Sequence, residues 1–288
     1  MKRGARPLGV LPWALAFLFF GVAPLAYALA LSFLDYNPLR PDRTVWVGLA
    51  NYATALQSPS FWRALRTTAY FVVGTLPVTL TLAYAVASLL ARARRAETFF
   101  RAAIFFPAAL SMVVISLVFK SLYAEEGLLN GWLAAAGLSR IHWLLDPRLA
   151  LPSIMIMDIW SSVGYYAILI LAGRKTLPDD QLEAARLEGL SPWEVERRIV
   201  FPHLRPVLLF VVLLNTIRAF QIFIEVFVLT RGGPLESTLT LVYHLYDRAF
   251  YHFEMGYASA LAFLLLLLVG GLLVIQRYVL GERAREAR

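Results

Sequence analysis

Asp158, Ser161, Ser162 and Tyr165 stand at i, i+3, i+4 and i+7 within an apolar run, one helical face with Trp160 beside it. A second set, Asn215, Arg218, Gln221 and Glu225, falls within an arc of roughly 120 degrees on another apolar helix, with Phe220 and Phe223 outside that arc. An ionisable side chain at the middle of a membrane-spanning helix costs roughly 2.5 to 3.5 kcal/mol on insertion, so it is expected to face a cavity or a partner. Carboxylate, amide and guanidinium groups suit the hydroxyls of a polar solute, and an aromatic such as Tyr165 or Trp160 suits the apolar face of such a solute. Two readings stand side by side. The stripes line a solute pathway, or they satisfy one another, for example Arg218 against Asp158, with Asn215 holding a partner helix. Glu225, near the outer end of its run, is expected to be solvated.

The same residue types exclude other chemistry. No nucleophile and base pair is recognisable, so no catalytic residue is assigned and a membrane-embedded enzyme is set aside. The chain contains no G-x-x-x-x-G-K-S/T, no H-E-x-x-H and no G-x-S-x-G, so it is not expected to hydrolyse ATP itself. His142, His203, His244 and His252 lack metal-ligand spacing, and no metal site is expected. The absence of cysteine rules out disulfides and thiolate chemistry. The net charge of +8 is read as juxtamembrane anchoring to lipid headgroups; no basic stripe with interleaved aromatics points to nucleic acid.

Apolar helices must carry these stripes. Of 288 residues, 59% are hydrophobic and only 16% charged, too apolar for a soluble domain of that length. A bilayer core of about 30 Å needs roughly 20 apolar residues in a helix. Six stretches qualify: 8–33, 69–91, 102–122, 149–172, 207–228 and 257–280. Continuous runs lack the alternation of a membrane barrel, and an open sheet would leave amides unpaired in hydrocarbon. The expected fold is therefore an all-α membrane protein with six transmembrane helices, a single transmembrane domain over residues 1–288. Lys2 and Arg3 before a run containing Ala28-Leu29-Ala30 could mark a cleavable leader, but the run is too long and a retained first span is expected. Neither an inverted repeat nor an interrupted helix pair is visible, which argues against a secondary transporter that would use Asp158, Glu225 and Arg218 as an ion or proton relay. With the N-terminus inside, Lys2, Arg3, Arg6, Arg92, Arg94, Arg95 and Arg101 share a side with Arg174, Lys175, Arg186, Arg197, Arg198 and Arg205 and with Arg277, Arg283, Arg285 and Arg288, a majority of the 27 Lys and Arg. The positive-inside rule then puts both termini and the segment 174–206 in the cytosol.

That segment reads RKTLPDDQLEAARLEGLSPWEVERRIVFPHLRP and has a structure of its own. Gln181 to Glu188 is rich in helix formers and is followed by Gly189, which can take the left-handed conformation that closes a helix. Ser191, Pro192 and Glu194 form the start of a second helix, with the serine as N-cap and the glutamate reaching back to the cap amide. Pro202 and Pro206 are expected to end it as the chain returns to the bilayer.

The spacing Glu183-Ala184-Ala185, then Gly189, then Ile199 and Pro202 resembles the EAA loop of permease subunits of ATP-binding-cassette importers. Departures are Glu188 where relatives usually carry aspartate, Glu196 where an aromatic often stands, and Leu182 in place of a common tyrosine. The resemblance extends to Val47-Gly48-Leu49-Ala50-Asn51-Tyr52, Phe61-Trp62 and Arg66-Thr67-Thr68, similar to the first external loop of the sugar-type subgroup. It extends also to Leu229-Thr230-Arg231-Gly232-Gly233-Pro234 with Thr238, and to Gly256-Tyr257-Ala258-Ser259-Ala260, similar to that subgroup's last external loop. Taken alone, Gly-Gly-Pro is equally a turn after a helix end. Leu128 to Leu138 and Trp143-Leu144-Leu145 either lie along the outer membrane interface or pack against a soluble partner.

The resemblance implies type I importer architecture with cytoplasmic termini in a bacterial plasma (inner) membrane. It implies a second homologous permease subunit, an ATPase subunit dimer carrying the ATP, so that this chain binds no cofactor, and an extracytoplasmic substrate-binding protein. ATPase coupling would fall to Glu183 as the charged contact, Ala184, Ala185, Gly189 as the turn, Ser191 and Glu194 as the cap, Ile199 and Pro202. Asp158, Tyr165, Asn215, Arg218, Gln221 and Glu225 would line the substrate pathway. The implied cargo is a sugar, oligosaccharide or related polyol. An anionic polyol phosphate, for which Arg218 is a natural partner, is the alternative cargo, and a secondary active transporter the alternative machine.

Overall fold

The computed structural model describes residues 6–92 and 97–285; Lys2, Arg3, Arg94, Arg95 and Arg288 of the basic set lie outside them. The first described elements are α1 (Arg6–Phe17) and α2 (Ala23–Ser32), joined by a π turn at Leu18–Val22. A short antiparallel ribbon of β1 (Leu34–Asp35) and β2 (Val45–Trp46) pairs Leu34 with Trp46. Helices α3 (Ala50–Gln57), α4 (Pro59–Arg92), α5 (Glu97–Ala109), α6 (Met112–Leu122), α7 (Leu128–Ala135) and α8 (Ala150–Arg174) follow. Then come α9 (Asp179–Leu187), α10 (Pro192–Val195), α11 (Phe201–Phe220), α12 (Ile224–Leu229), α13 (Leu241–Tyr246) and α14 (Met255–Arg285). Among the described residues, 5 helical stretches can cross a membrane by length and composition, or 6 if the bent pair α5 and α6 counts as one.

The chain forms two compact units. In the first, which takes in the residues up to Trp62 and His244–Leu268, the Asn51 amide donates to the carbonyls of Ser32 and Leu34, both at 2.9 Å, and holds the ribbon to α3. The second comprises Arg63–Tyr243 and the residues from Val269. Its core joins Ala83, Ala87 and Leu90 of α4, Tyr166, Ala167, Ile170 and Leu171 of α8, and Leu204 and Val211 of α11, with Leu177 and Val200. At Gly164 the helices approach so closely that a β-carbon would overlap the Ile104 carbonyl, so α5 and α8 can cross there only over glycine.

Four expectations about the elements need correction. The third stretch is not one straight span, and an interrupted helix pair is present: α5 and α6 meet at 90°. Pro107 supplies no amide, the Leu110 amide turns back to the Pro107 carbonyl, and extended Ser111 (ψ 135) starts α6 afresh. The fifth stretch is also broken, because Gln221 (ψ 15) ends α11 and Phe223 (φ −144) leads into α12. The Thr240 hydroxyl donates to the Ile222 carbonyl at 3.3 Å in the gap, giving a non-helical carbonyl the partner it needs. Pro202 and Pro206 do not end the second helix of 174–206. A π turn at Glu196–Val200 connects α10 to α11, shifting the bonding register just before Pro202, and Pro206 lies inside α11. Finally, the second stretch begins early. Extended Ser58 and Pro59 start α4, so Phe61, Trp62 and Arg66 to Thr68 are helical rather than loop.

Candidate functional site

Asp158, in the first half of α8, is buried, and its Oδ1 lies 2.9 Å from Nη2 of Arg218 on α11. Glu225 of α12 reaches the same nitrogen at 3.8 Å and is only 6% exposed, so the expectation that it is solvated is overturned. The helix break explains how. Seven residues along an unbroken helix are about 10.5 Å of axial rise, and the turn at Gln221 to Phe223 lets α12 bring Glu225 back to the guanidinium. Two carboxylates therefore face one cation in a largely buried position.

In front of them opens a cavity of about 380 Å³. The α5–α6 bend contributes Pro107, Ala108, Leu110, Met112 and Ile115; α8 contributes Ser161, Ser162, Tyr165 and Tyr166; α11 contributes Leu214 and Arg218. Ser161 and Ser162 donate their hydroxyl protons to the carbonyls of Asp158 and Ile159, at 2.9 and 3.4 Å, leaving oxygen lone pairs free to accept from a solute. The rings of Tyr165 and Tyr166 meet edge-on at 5.2 Å, a hydroxyl-bearing aromatic wall. Arg218 thus pairs with Asp158 and also lines a cavity.

The other polar feature is built from α9, α10 and the turn between them. Asp179 and Asp180 occupy the first turn of α9, where carboxylates suit the helix dipole. Gly189 at φ +76 lets the Leu190 amide fold back to the Ala185 carbonyl at 3.1 Å. The capping box is formed: Ser191 Oγ accepts from the Glu194 amide at 3.3 Å, and Glu194 accepts from the Ser191 amide at 3.0 Å. Ala185 is buried and Leu182, Val195 and Ile199 pack onto the core, so one face of the knob is anchored. The other face is open. Glu183 and Ala184 are exposed there, and so are two large apolar side chains, Leu187 at 89% and Trp193 at 71%.

The profile of the family described as binding-protein-dependent transport system inner membrane component matches residues 80–283, most of the chain and all of both features. The chain belongs to that family. The lactose transport system permease protein LacF of Rhizobium radiobacter is 34% identical over 82% of this chain and 81% of its own length. The arabinooligosaccharides transport system permease protein AraP of Bacillus subtilis is 30% identical over 93% and 86%. A bacterial alginate ABC transporter, solved in complex with an alginate pentasaccharide-bound periplasmic protein, has a chain of the same fold, with a TM-score of 0.81 at 19% identity over 94% of this chain and 92% of that one.

As a member of this family the chain is a multi-pass membrane component of a transport system and not an enzyme. Not every residue of the sequence stripes reaches the cavity. Asp158, Arg218 and Glu225 come together and Tyr165 lines the space, but Gln221 sits exposed at the helix break and faces no wall of it. Asn215 is buried behind the lining, its Nδ2 without a hydrogen bond among the described residues. Trp160 packs on Phe119 at 5.4 Å instead of covering the cavity. Sequence reasoning missed the bend residues, since hydropathy records composition and not the direction of a helix. It also treated Glu196 only as a departure from a pattern; Glu194, Arg197 and Arg198 beside it make the stretch read as a solvated charge run, so no local signal marked its burial.

Proposed function

We propose that the chain is one permease subunit of an ATP-driven importer of neutral sugars or oligosaccharides, working beside a second, homologous permease. The observation that carries the choice of cargo is that the cation at the cavity already faces two carboxylates. Arg218 already faces Asp158 at 2.9 Å and Glu225 at 3.8 Å, so its cation is matched and an anionic solute would meet surplus carboxylate. A polyhydroxyl solute needs what the wall offers: serine oxygens that accept, phenol hydroxyls and a tyrosine face. The lactose and arabinooligosaccharide relatives support a sugar, and the alginate complex supports delivery by an extracytoplasmic binding protein. On this reading Asp158 and Glu225 hold Arg218 in place, Tyr165 touches solute, and Asn215 uses its spare donor toward the second permease. Gln221 is left to the break.

The knob at 174–206 is the ATPase docking element. Its exposed Glu183, Leu187 and Trp193 offer one charge and two apolar anchors on a water-facing turn, an arrangement suited to a groove on a soluble subunit. Ala184, Gly189, Ser191 and Glu194 give it shape, and Ala185, Ile199 and Pro202 join it to the helices. Two ATPase subunits would carry the ATP, and closure of that dimer would move the knob and the helices attached to it. Both termini face the cytosol, and the chain spans the plasma membrane of a bacterial cell. The α1 and α2 segment buries none of its apolar window in this chain, leaving it to lipid or to the second permease.

The test is uptake by the complex purified through this chain and reconstituted in liposomes with ATP inside. Neutral oligosaccharides should enter only with hydrolysable ATP, and Tyr165→Ala should weaken apparent affinity for them about tenfold, the scale of one lost aromatic contact of about 1.4 kcal/mol. Preference for sugar phosphates would overturn the neutral cargo. Uptake abolished by ionophore and indifferent to ATP would make the chain a secondary transporter.

A further inference from the structure

Where the knob joins the helices, four polar side chains close on one another. Arg174, the last residue of α8, meets Glu196 in a two-pronged pair, Nη1 to Oε1 at 2.5 Å and Nη2 to Oε2 at 2.8 Å. On α4, one turn apart, Tyr84 donates to the same Oε1 at 2.6 Å and Ser88 donates to it at 3.2 Å, while Ser88 accepts from Arg174 at 3.1 Å. The arginine and glutamate side chains are 15% and 12% exposed, so the pair is shielded from water. Glu196 is also the first residue of the π turn between α10 and α11. Three separate stretches of chain therefore meet at one carboxylate.

We propose that Arg174, Glu196, Tyr84 and Ser88 form a rigid clasp that passes movement of the knob into α4 and α8, and that Glu196 is a positioning residue for transport. This rests on the reading of the knob as the ATPase docking element. The knob is already packed on the core through Leu182, Val195 and Ile199, and apolar contact of that kind resists separation but not sliding, because it is non-directional. A bidentate arginine–carboxylate pair is directional: a shift of an ångström or two in any direction breaks it. Buried ion pairs are often no better for stability than apolar replacements, so a purely structural joint had no need of one here. The clasp supplies resistance to shear where push must become tilt. It also accounts for the glutamate at a position where the pattern of related loops favours an aromatic.

The experiment uses the complex purified through this chain and reconstituted in liposomes, with solute transported and ATP hydrolysed measured together. Glu196→Gln keeps the shape and removes the charge; Tyr84→Phe removes one hydrogen bond and keeps the packing. The expected result is normal co-purification of the ATPase, continued hydrolysis, and a fall of about tenfold in solute moved per ATP for Glu196→Gln, with a smaller fall for Tyr84→Phe. A merely structural role would lower the amount of complex and reduce both rates together, leaving their ratio unchanged, and an unchanged ratio in both variants overturns the clasp. Should Glu196→Gln not accumulate, the Tyr84→Phe ratio decides alone. If the unaltered chain brings down no ATPase, the docking reading fails and the clasp with it, an outcome distinct from an intact complex whose ratio does not move.

Discussion

Arg218 shows how much a single side chain can organise. A guanidinium placed in an apolar helix must be matched, and here it is matched by one buried carboxylate at 2.9 Å and a second at 3.8 Å. Removing it alone leaves two buried carboxylates facing each other without a cation. Arg218→Met should therefore destabilise the folded protein by about 3–5 kcal/mol, and adding Asp158→Asn should recover part of that loss. Thermal unfolding in detergent measures both. A single variant that melts with the unaltered protein, or a double variant no better than the single, would remove the pair from the forces that hold α8 to α11. The residue types and their helical faces were legible in the sequence, including Arg218 against Asp158 as one possibility. What the sequence could not carry was the burial of Glu225 against that guanidinium, because it depends on a backbone break that periodicity along an ideal helix takes no account of.

At the scale of the element, legibility divides by mechanism. The capping box at Ser191 and Glu194 and the glycine turn at Gly189 are local, set by side chains within a few residues, and both stand where the sequence put them. The bend between α5 and α6 and the gap between α11 and α12 are not local. Pro107 marks the first only in hindsight, since Pro77 lies inside α4 and Pro206 inside α11 without ending them. Gly189 then offers a test of the knob as an element. With φ at +76 and its amide bonded to the Arg186 carbonyl at 3.1 Å, it cannot be proline, whose φ is fixed near −65° and which has no amide to give. Gly189→Pro should leave α8, α11 and membrane insertion intact, because the turn is exposed and carries none of the core. It should abolish co-purification of the ATPase. Retained co-purification together with retained transport would show that this turn does not shape the docking surface.

For the whole molecule the deciding quantity is the number of crossings. If α5 and α6, bent by 90°, still cross the bilayer together, there are six crossings and the termini share a side; if they dip in and return, there are five and the termini part. The two cases reverse everything after residue 122. In the first, the loop that holds Leu138 lies outside and the knob that holds Ala184 lies inside; in the second they exchange places. Charge favours the first, because Arg174, Lys175, Arg186, Arg197, Arg198 and Arg205 would otherwise gather on the outer surface, against the bias that orients membrane helices. The chain has no cysteine, so a single one can be placed at either position without background. Both sites are exposed. In intact cells a membrane-impermeant maleimide should label Leu138→Cys at once and Ala184→Cys only after permeabilisation. The opposite pattern would make α5 and α6 a re-entrant pair, put the knob out of reach of any cytoplasmic ATPase, and end the proposed coupling at its first step.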